Sequence, residues 1–271
     1  MTPPLKPRRV VYTALFGNYE QLVEQPVAST SGIDFICFSD EPRDSASWHV
    51  IVVELPVPTD VVRSARHIKI VGHEALHEFD EWLWIDNRVV LRAPPSEIFD
   101  LWLCGFDLAI PVHDHRGSVE EEFRAVLRAG FDSPYRVREQ LHTLRRDMPD
   151  VLDEAPLWTG LIARRHTAPI EQWARTWIAM VLLFSRRDQL SVNYAVARSD
   201  VELHAISVAN RSSTLHTWLS VEELPKNRAA RFSASSGFRY RPKAYLVDVF
   251  MLSRVGRVMR HIRRSLRERS R

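Results

Sequence analysis

Short apolar runs alternate along this chain with longer stretches of helical spacing. Residues 9–14 (RVVYTA) read as a strand that ends at a turn, Phe16-Gly17-Asn18. Residues 34–38 (DFICF) and 49–55 (HVIVVEL) predict two more strands, the first closing on polar Ser39-Asp40. From 60 to 79 the spacing is helical, with Val62, Ala65, Ile68 and Leu76 on or near one face. Residues 82–85 (WLWI) are wholly apolar and close on Asp86-Asn87, the pattern of a buried central strand that delivers polar groups at its tip. A helix capped near Ser96 is predicted for 94–103 and a strand for 107–112. Helices are predicted for 118–129 and 133–146, a strand for 157–163, and further helices for 168–184 and 187–196. No internal repeat interrupts the pattern.

Strands alternating with helices predict an α/β fold with a mixed, mostly parallel sheet flanked by helices. Ligands of such sheets sit beyond the carboxyl ends of the strands. The polar residues to weigh are therefore Ser39, Asp40, Asp86, Asn87 and His113. The chain has nine glycines but no GxGxxG and no GxxxxGK[ST], so phosphate would have to be held by side chains or a metal.

Composition narrows this further. With 45% hydrophobic and 26% charged residues the chain is an ordinary globular one, long enough for a sizeable core. Cys37 and Cys104 are too few for a disulfide framework, and their apolar settings predict two buried free thiols in a reducing cytoplasm. The Pro-rich basic start has no apolar run behind it, which argues against a secretory signal. The longest uncharged apolar run near the centre, 176–185, has 10 residues, short of the ~20 a spanning helix needs. The net charge of +3 conceals a tail: residues 254–271 hold eight arginines and one glutamate, so the body is slightly acidic.

Four clusters carry candidate chemistry. The first is Asp86-Asn87-Arg88 at the end of the apolar strand. A carboxylate there suits a divalent cation that offsets charge on a departing diphosphate; it equally suits a simple Asp-Asn turn. Arg63, Arg66 and Lys69, spaced by three, share a helix face that fits a diphosphate or a solvated basic face. His113-Asp114-His115-Arg116 offers a partial metal site lacking a third ligand. In Arg186-Arg187-Asp188-Gln189, Asp188 is either a helix cap or a carboxylate aimed into the cleft.

Taken in order, the segments 11–19 (VYTALFGNY), 34–40 (DFICFSD), 63–69 (RSARHIK), 83–86 (LWID), His113 with Arg116, 159–162 (TGLI) and 187–191 (RDQLS) resemble a known family. It is the glycosyltransferase-like family once filed as a domain of unknown function. Its plant relatives include Golgi proteins of mucilage polysaccharide and a protein described as an alkaline ceramidase. The resemblance covers about residues 9–200 and implies a GT-A-type nucleotide-sugar transferase. It implies that Thr13, Phe16, Gly17, Tyr19 and Asp40 line the nucleoside, and that Arg63, Arg66 and Lys69 face the diphosphate or sugar. Asp86 would be the metal or diphosphate carboxylate, with His113 and Arg116 completing that shell. Gly160, Asp188 and Gln189 would meet the sugar and acceptor, the last two at the reacting centre. The family pattern at the metal position is Asp-x-Asn, whereas here Arg88 stands in the third place. Either Asn87 serves as the second ligand or Arg88 neutralises the diphosphate directly, so dependence on Mn²⁺ or Mg²⁺ stays open.

The expected organisation is one transferase domain over 1–240, with a nucleotide half at 9–115 and an acceptor half at 116–210. A basic tail follows at 241–271. In it Val247, Phe250, Met251, Val255, Val258, Met259, Ile262 and Leu266 recur at helical spacing among arginines, suited to an anionic membrane surface or to packing on the body. No aromatic platform for nucleic acid accompanies them. The leading expectation is a cytoplasmic enzyme, at most peripheral to the membrane. It would move sugar from a UDP- or GDP-linked donor to a glycan or lipid-linked acceptor, in cell-surface polysaccharide synthesis. The alternatives are a sphingolipid amide hydrolase and a non-catalytic, membrane-docked binding module.

Overall fold

The computed structural model describes residues 6–220 and 222–224. The apolar runs assemble into a seven-stranded sheet of order β3-β2-β1-β4-β7-β6-β8. Its strands are β1 (Arg9–Leu15), β2 (Asp34–Ser39), β3 (His49–Val52), β4 (Glu81–Ile85), β6 (Leu108–Pro111), β7 (Leu161–Arg165) and β8 (Leu203–Ile206). Two short strands, β5 (Val89–Leu91) and β9 (His216–Trp218), form a separate antiparallel ribbon. β1 pairs in parallel with β2 and β4, β2 with β3, and β6 with β8; β7 is antiparallel to both β4 and β6. The expected mixed, mostly parallel α/β sheet is what forms.

The reversed strand matters for the site. Because β7 runs against β4, its first residue, Leu161, pairs with the last residue of β4, Ile85. The chain entering β7 is thereby brought to the carboxyl end of the sheet, where Gly160 accepts a hydrogen bond from the Asp86 amide at 2.9 Å.

The helices are α1 (Ala28–Ser31), α2 (Val61–Val71), α3 (Pro95–Trp102), α4 (Val119–Ala129), α5 (Pro134–Asp147), α6 (Ala168–Leu183) and α7 (Val192–Ala197). Alternation along the strands divides the core between the two faces. Val10, Tyr12, Trp82 and Trp84 face α2 and α6, where Trp173 and Trp177 are fully buried. Val11, Leu15, Leu83 and Ile85 face α3, through Phe99 and Trp102. A third cluster, including Phe123, Val137 and Leu144, joins α4 to α5.

Several expectations are corrected. The helix predicted for 60–79 stops at Val71, because Gly72 adopts φ +89° and lies against the Trp82 ring, where a Cβ would come within 2.7 Å. The helix predicted for 187–196 divides into a 3-10 turn at Asp188–Leu190 and α7. The strand predicted for 157–163 begins at Leu161 and runs to Arg165. α3 starts at Pro94–Pro95 with no side-chain cap at all, so Ser96 does not cap it. Cys37 is buried, and burial pushes its thiol up to about 12, but Cys104 is exposed in the turn after α3. Among the described residues no helix is long and apolar enough to cross a membrane. The boundary at 240 and the basic tail lie outside the described residues.

Candidate active site

α2 brings cations to the carboxyl end of the sheet. Asp60 caps its start by accepting from the Arg63 amide at 3.0 Å. At its other end the Lys69 carbonyl accepts from the Tyr12 hydroxyl at 2.8 Å, and the Ile70 carbonyl accepts from Arg164. Arg164 also donates to the Tyr12 hydroxyl at 2.7 Å and stacks over Trp82. Buried groups thus fix the last turn of α2, and with it the direction of Lys69.

The Lys69 ammonium is fully buried and bridges two carboxylates. It lies 2.6 Å from Asp188 Oδ2 and 3.2 Å from Asp86 Oδ1, and it donates to Thr159 Oγ1 at 3.1 Å. The Thr159 hydroxyl in turn donates to Asp188 Oδ2 at 3.1 Å. Trp84 Nε1 donates to Asp86 Oδ1 at 2.8 Å. All three ammonium hydrogens are therefore committed. Arg66 pairs with Asp188 Oδ1 at 3.0 Å, but its Nε is not aligned for a hydrogen bond.

The segment carrying Asp188 is fixed from behind. Asp132 accepts from the Ser185 hydroxyl at 2.7 Å and the Arg186 amide at 2.8 Å, and Trp177 Nε1 donates to the Asp188 carbonyl at 2.9 Å. Arg187 projects over the ring of Phe131, 5.0 Å from its centroid. Among the described residues Arg187 shows no side-chain hydrogen-bond acceptor and Arg66 only its ion pair with Asp188, and the Nε of each is buried.

The electrostatics follow from this crowding. Burial alone would raise the Asp188 pKa, but Arg66, Lys69 and Arg187 overcome it and hold the carboxyl far below the usual range. Burial opposes the charge on Arg66, yet Asp188 and Asp86 leave its pKa raised. Arg187 is shifted the other way, first by burial and then by the neighbouring Arg66. Tyr19 stands at the mouth; burial of its hydroxyl, aided by Glu20, pushes it up to about 12.

Of the expected site residues, Arg66, Lys69, Asp86, Gly160 and Asp188 come together here, with Tyr19 at the edge. Asp188 is buried beneath the cations instead of facing an open cleft, with Gln189 half-buried beside it. At Gly160 a Cβ would come within 2.4 Å of the Trp158 ring, so only glycine lets that indole approach the strand end.

Others are placed elsewhere. Arg63 donates to the Val181 and Phe184 carbonyls, where it caps the end of α6. Thr13 and Phe16 are fully buried and offer no surface to a nucleoside. Asp40 accepts from the Gly17 amide with both oxygens at 3.0 Å, and so shapes the loop after β1. A groove lined by Asp40, Val53, Leu55 and Pro58 opens beside it. Arg88 lies over the Trp218 ring at 5.5 Å, not on Asp86. Arg116 pairs with Glu122 at 3.3 Å, and His113 Nδ1 accepts from the His115 amide at 3.0 Å. Burial keeps the His113 imidazole pKa low.

The residues present do not fit the expected metal. Asn87 accepts from the Val23 amide and donates to Glu20 and the Gln21 carbonyl, so its oxygen is already used. The inner oxygen of Asp86 already holds an ammonium and an indole N–H. Among the described residues no group of three His, Cys, Asp or Glu side chains is arranged to hold a metal ion.

Sequence reasoning left Arg187 and Thr159 out of the site although both stand in the quoted segments. It missed Trp84 and the Tyr12–Arg164 pair, whose members are 152 residues apart and carry no local signal.

No curated protein matches the chain. Among solved structures it is similar to the apo form of the bifunctional glycosyltransferase WbbM, at 10% identity and a TM-score of 0.47, over 76% of this chain and 40% of that one. It is also similar to core-mannan synthase A (CmsA/Ktr4) from Aspergillus fumigatus in its Mn/GDP form, at 10% identity and TM-score 0.42, over 74% and 73%. A third is a glycosyltransferase involved in glycosylation of the PBCV-1 major capsid, at 12% and 0.43, over 74% and 82%. The family model described as "TOD1/MUCI70, glycosyltransferase-like domain" matches residues 37–213, a span that holds Arg66, Lys69, Asp86, Thr159, Arg187 and Asp188. With well over half of its length matched, the chain belongs to the TOD1/MUCI70 glycosyltransferase-like family.

Proposed function

We propose that this protein is a glycosyltransferase that moves a sugar from a nucleoside-diphosphate donor to a saccharide or lipid-linked acceptor. The observation that carries this reading is the pair of guanidiniums at the carboxyl end of the sheet, Arg187 without a hydrogen-bond acceptor and Arg66 held only by Asp188, with the Nε of each buried. Buried donors left unmet are costly, and two like charges repel, so the arrangement favours an anion that accepts from both. A diphosphate supplies such oxygens, and the groove beside Asp40, at the carboxyl end of β2, would take the nucleoside.

In the transfer, the bond from anomeric carbon to diphosphate oxygen breaks and its electron pair stays on the diphosphate. The acceptor oxygen bonds that carbon and releases its proton to water. Arg66 and Arg187 would stabilise charge as it grows on the leaving group. Asp188 is too acidic and too fully paired to serve as a proton acceptor; its role is to position Lys69 and Arg66. Family membership and the sugar-transfer chemistry of the family's description support the same class. Attachment to an anionic cytoplasmic membrane surface remains a proposal that rests on the sequence of residues 247–271 alone.

The test is release of nucleoside diphosphate from a panel of UDP- and GDP-sugars, with glycan acceptors, by the full chain. Selective release that Arg187→Ala abolishes is expected. A panel that is neither bound nor consumed would overturn the reading.

A further inference from the structure

Resting on that reading, we propose that the site takes the diphosphate without a divalent cation. Lys69 stands in the cation position between Asp86 and Asp188, and Arg66 and Arg187 are the direct contacts to phosphate. A divalent ion that serves a diphosphate is held by carboxylates and shares its remaining positions with phosphate oxygens. Here the position between the two carboxylates is filled by an ammonium with three acceptors at 2.6 to 3.2 Å. It cannot rotate away without leaving Asp188, whose side chain is 4% exposed, short of a partner.

Asn87, the expected second ligand, is tied to the 20–23 loop through both ends of its amide. The arginine that departs from the family pattern, Arg88, is not the replacement, because it is stacked on Trp218. The positive charge has instead moved to α2 and to the 185–188 segment. Lys69 spends all its hydrogens internally and holds the array in shape. Arg187 spends none on a protein acceptor and Arg66 meets only Asp188, which leaves guanidinium hydrogens for a ligand, and guanidiniums suit the paired oxygens of a diphosphate better than an ammonium does.

Calorimetric titration of the full chain with UDP and with GDP tests this, in EDTA, in Mg²⁺ and in Mn²⁺. Affinities within threefold across the three arms are expected for whichever nucleotide binds. Binding more than tenfold tighter in Mn²⁺ than in EDTA overturns the proposal and leaves the transferase reading intact. No binding of either nucleotide in any arm overturns both. A second readout needs no nucleotide: the electron paramagnetic resonance signal of free Mn²⁺ should persist undiminished beside the wild-type protein and beside Lys69→Arg. Lys69→Met, which uncovers both carboxylates, should take Mn²⁺ up and diminish that signal. Mn²⁺ uptake by wild type, or a folded Lys69→Met that takes up none, contradicts the assignment.

Discussion

At the start of β4, Glu81 is buried between Arg9 at 2.9 Å and Arg165 at 3.2 Å. Those arginines are themselves used up: Arg9 reaches Asp100, and Arg165 donates to the Phe106 carbonyl at 2.7 Å. Just past the other end of the same strand, Asp86 and Asp188 are also paired with cations, yet Arg187 has no hydrogen-bond acceptor there and Arg66 meets only Asp188. Both ends carry buried charge in a low-dielectric setting. One is a closed network that ties β1, β4 and β7 together; the other is left open toward whatever completes it. Burial and ion pairing alone do not mark a functional site. What separates these two ends is that the Nε of Arg9 and Arg165 are met whereas those of Arg66 and Arg187 are not.

The largest effect expected from breaking this contrast is at Lys69. Lys69→Met removes the ammonium from two carboxylates, one of them buried, and should cost about 3–5 kcal/mol of stability, read from urea denaturation. Lys69→Arg should recover part of it.

Next comes the paired comparison of Arg187→Ala with Arg9→Ala. Losing a charge-assisted contact to phosphate should weaken nucleotide binding roughly 10- to 100-fold, with stability within about 0.5 kcal/mol of wild type. Arg9→Ala should show the converse, a loss of about 1–2 kcal/mol with binding unchanged. Titration calorimetry and denaturation on the same two variants check both halves.

A smaller effect should appear in acid. The Asp188 pKa is depressed in the folded state, so the unfolded chain binds more protons below neutrality, and stability from this group rises with pH. That contribution is complete above the unfolded carboxyl value of about 3.9 and is lost as pH falls through it toward the lower folded value. Asp60 and Glu24 are also held low and keep some slope in any variant. Asp188→Asn should therefore flatten the acid limb of stability without abolishing it, measured by denaturation from about pH 5 down to about pH 2. The smallest effect is expected for Arg8→Ala, whose ion pair with Glu78 is more than half exposed; less than about 0.5 kcal/mol should be lost.

The strands and the polarity of the sheet were legible because β1, β2 and β4 are continuous apolar runs closing on polar residues, a local signal. The direction of β7 was not, since nothing within 157–165 distinguishes a parallel from an antiparallel partner. That reversal is what brings Thr159 and Gly160 to Asp86. The stop of α2 at Gly72 was readable in principle from the glycine, but apolar spacing continued through Ala75 and Leu76 and masked it. In the site, helical spacing placed Arg66 and Lys69 on one stripe correctly. It could not tell that Arg63, one turn earlier, would be spent on the end of α6. Asp86 was found from its place at a strand tip, whereas its metal partner was assigned by resemblance, and the structure puts an ammonium there. That ammonium comes from a helix 17 residues upstream, a contact only the packed fold creates.

The most direct test of this account is a crystal structure of the protein with UDP or GDP bound, grown in EDTA. The expected result is phosphate oxygens within about 3 Å of the Arg66 and Arg187 guanidiniums, with Lys69 still between Asp86 and Asp188. A diphosphate seated elsewhere, or one that binds only with a metal ion on Asp86 and Lys69 displaced, would contradict it.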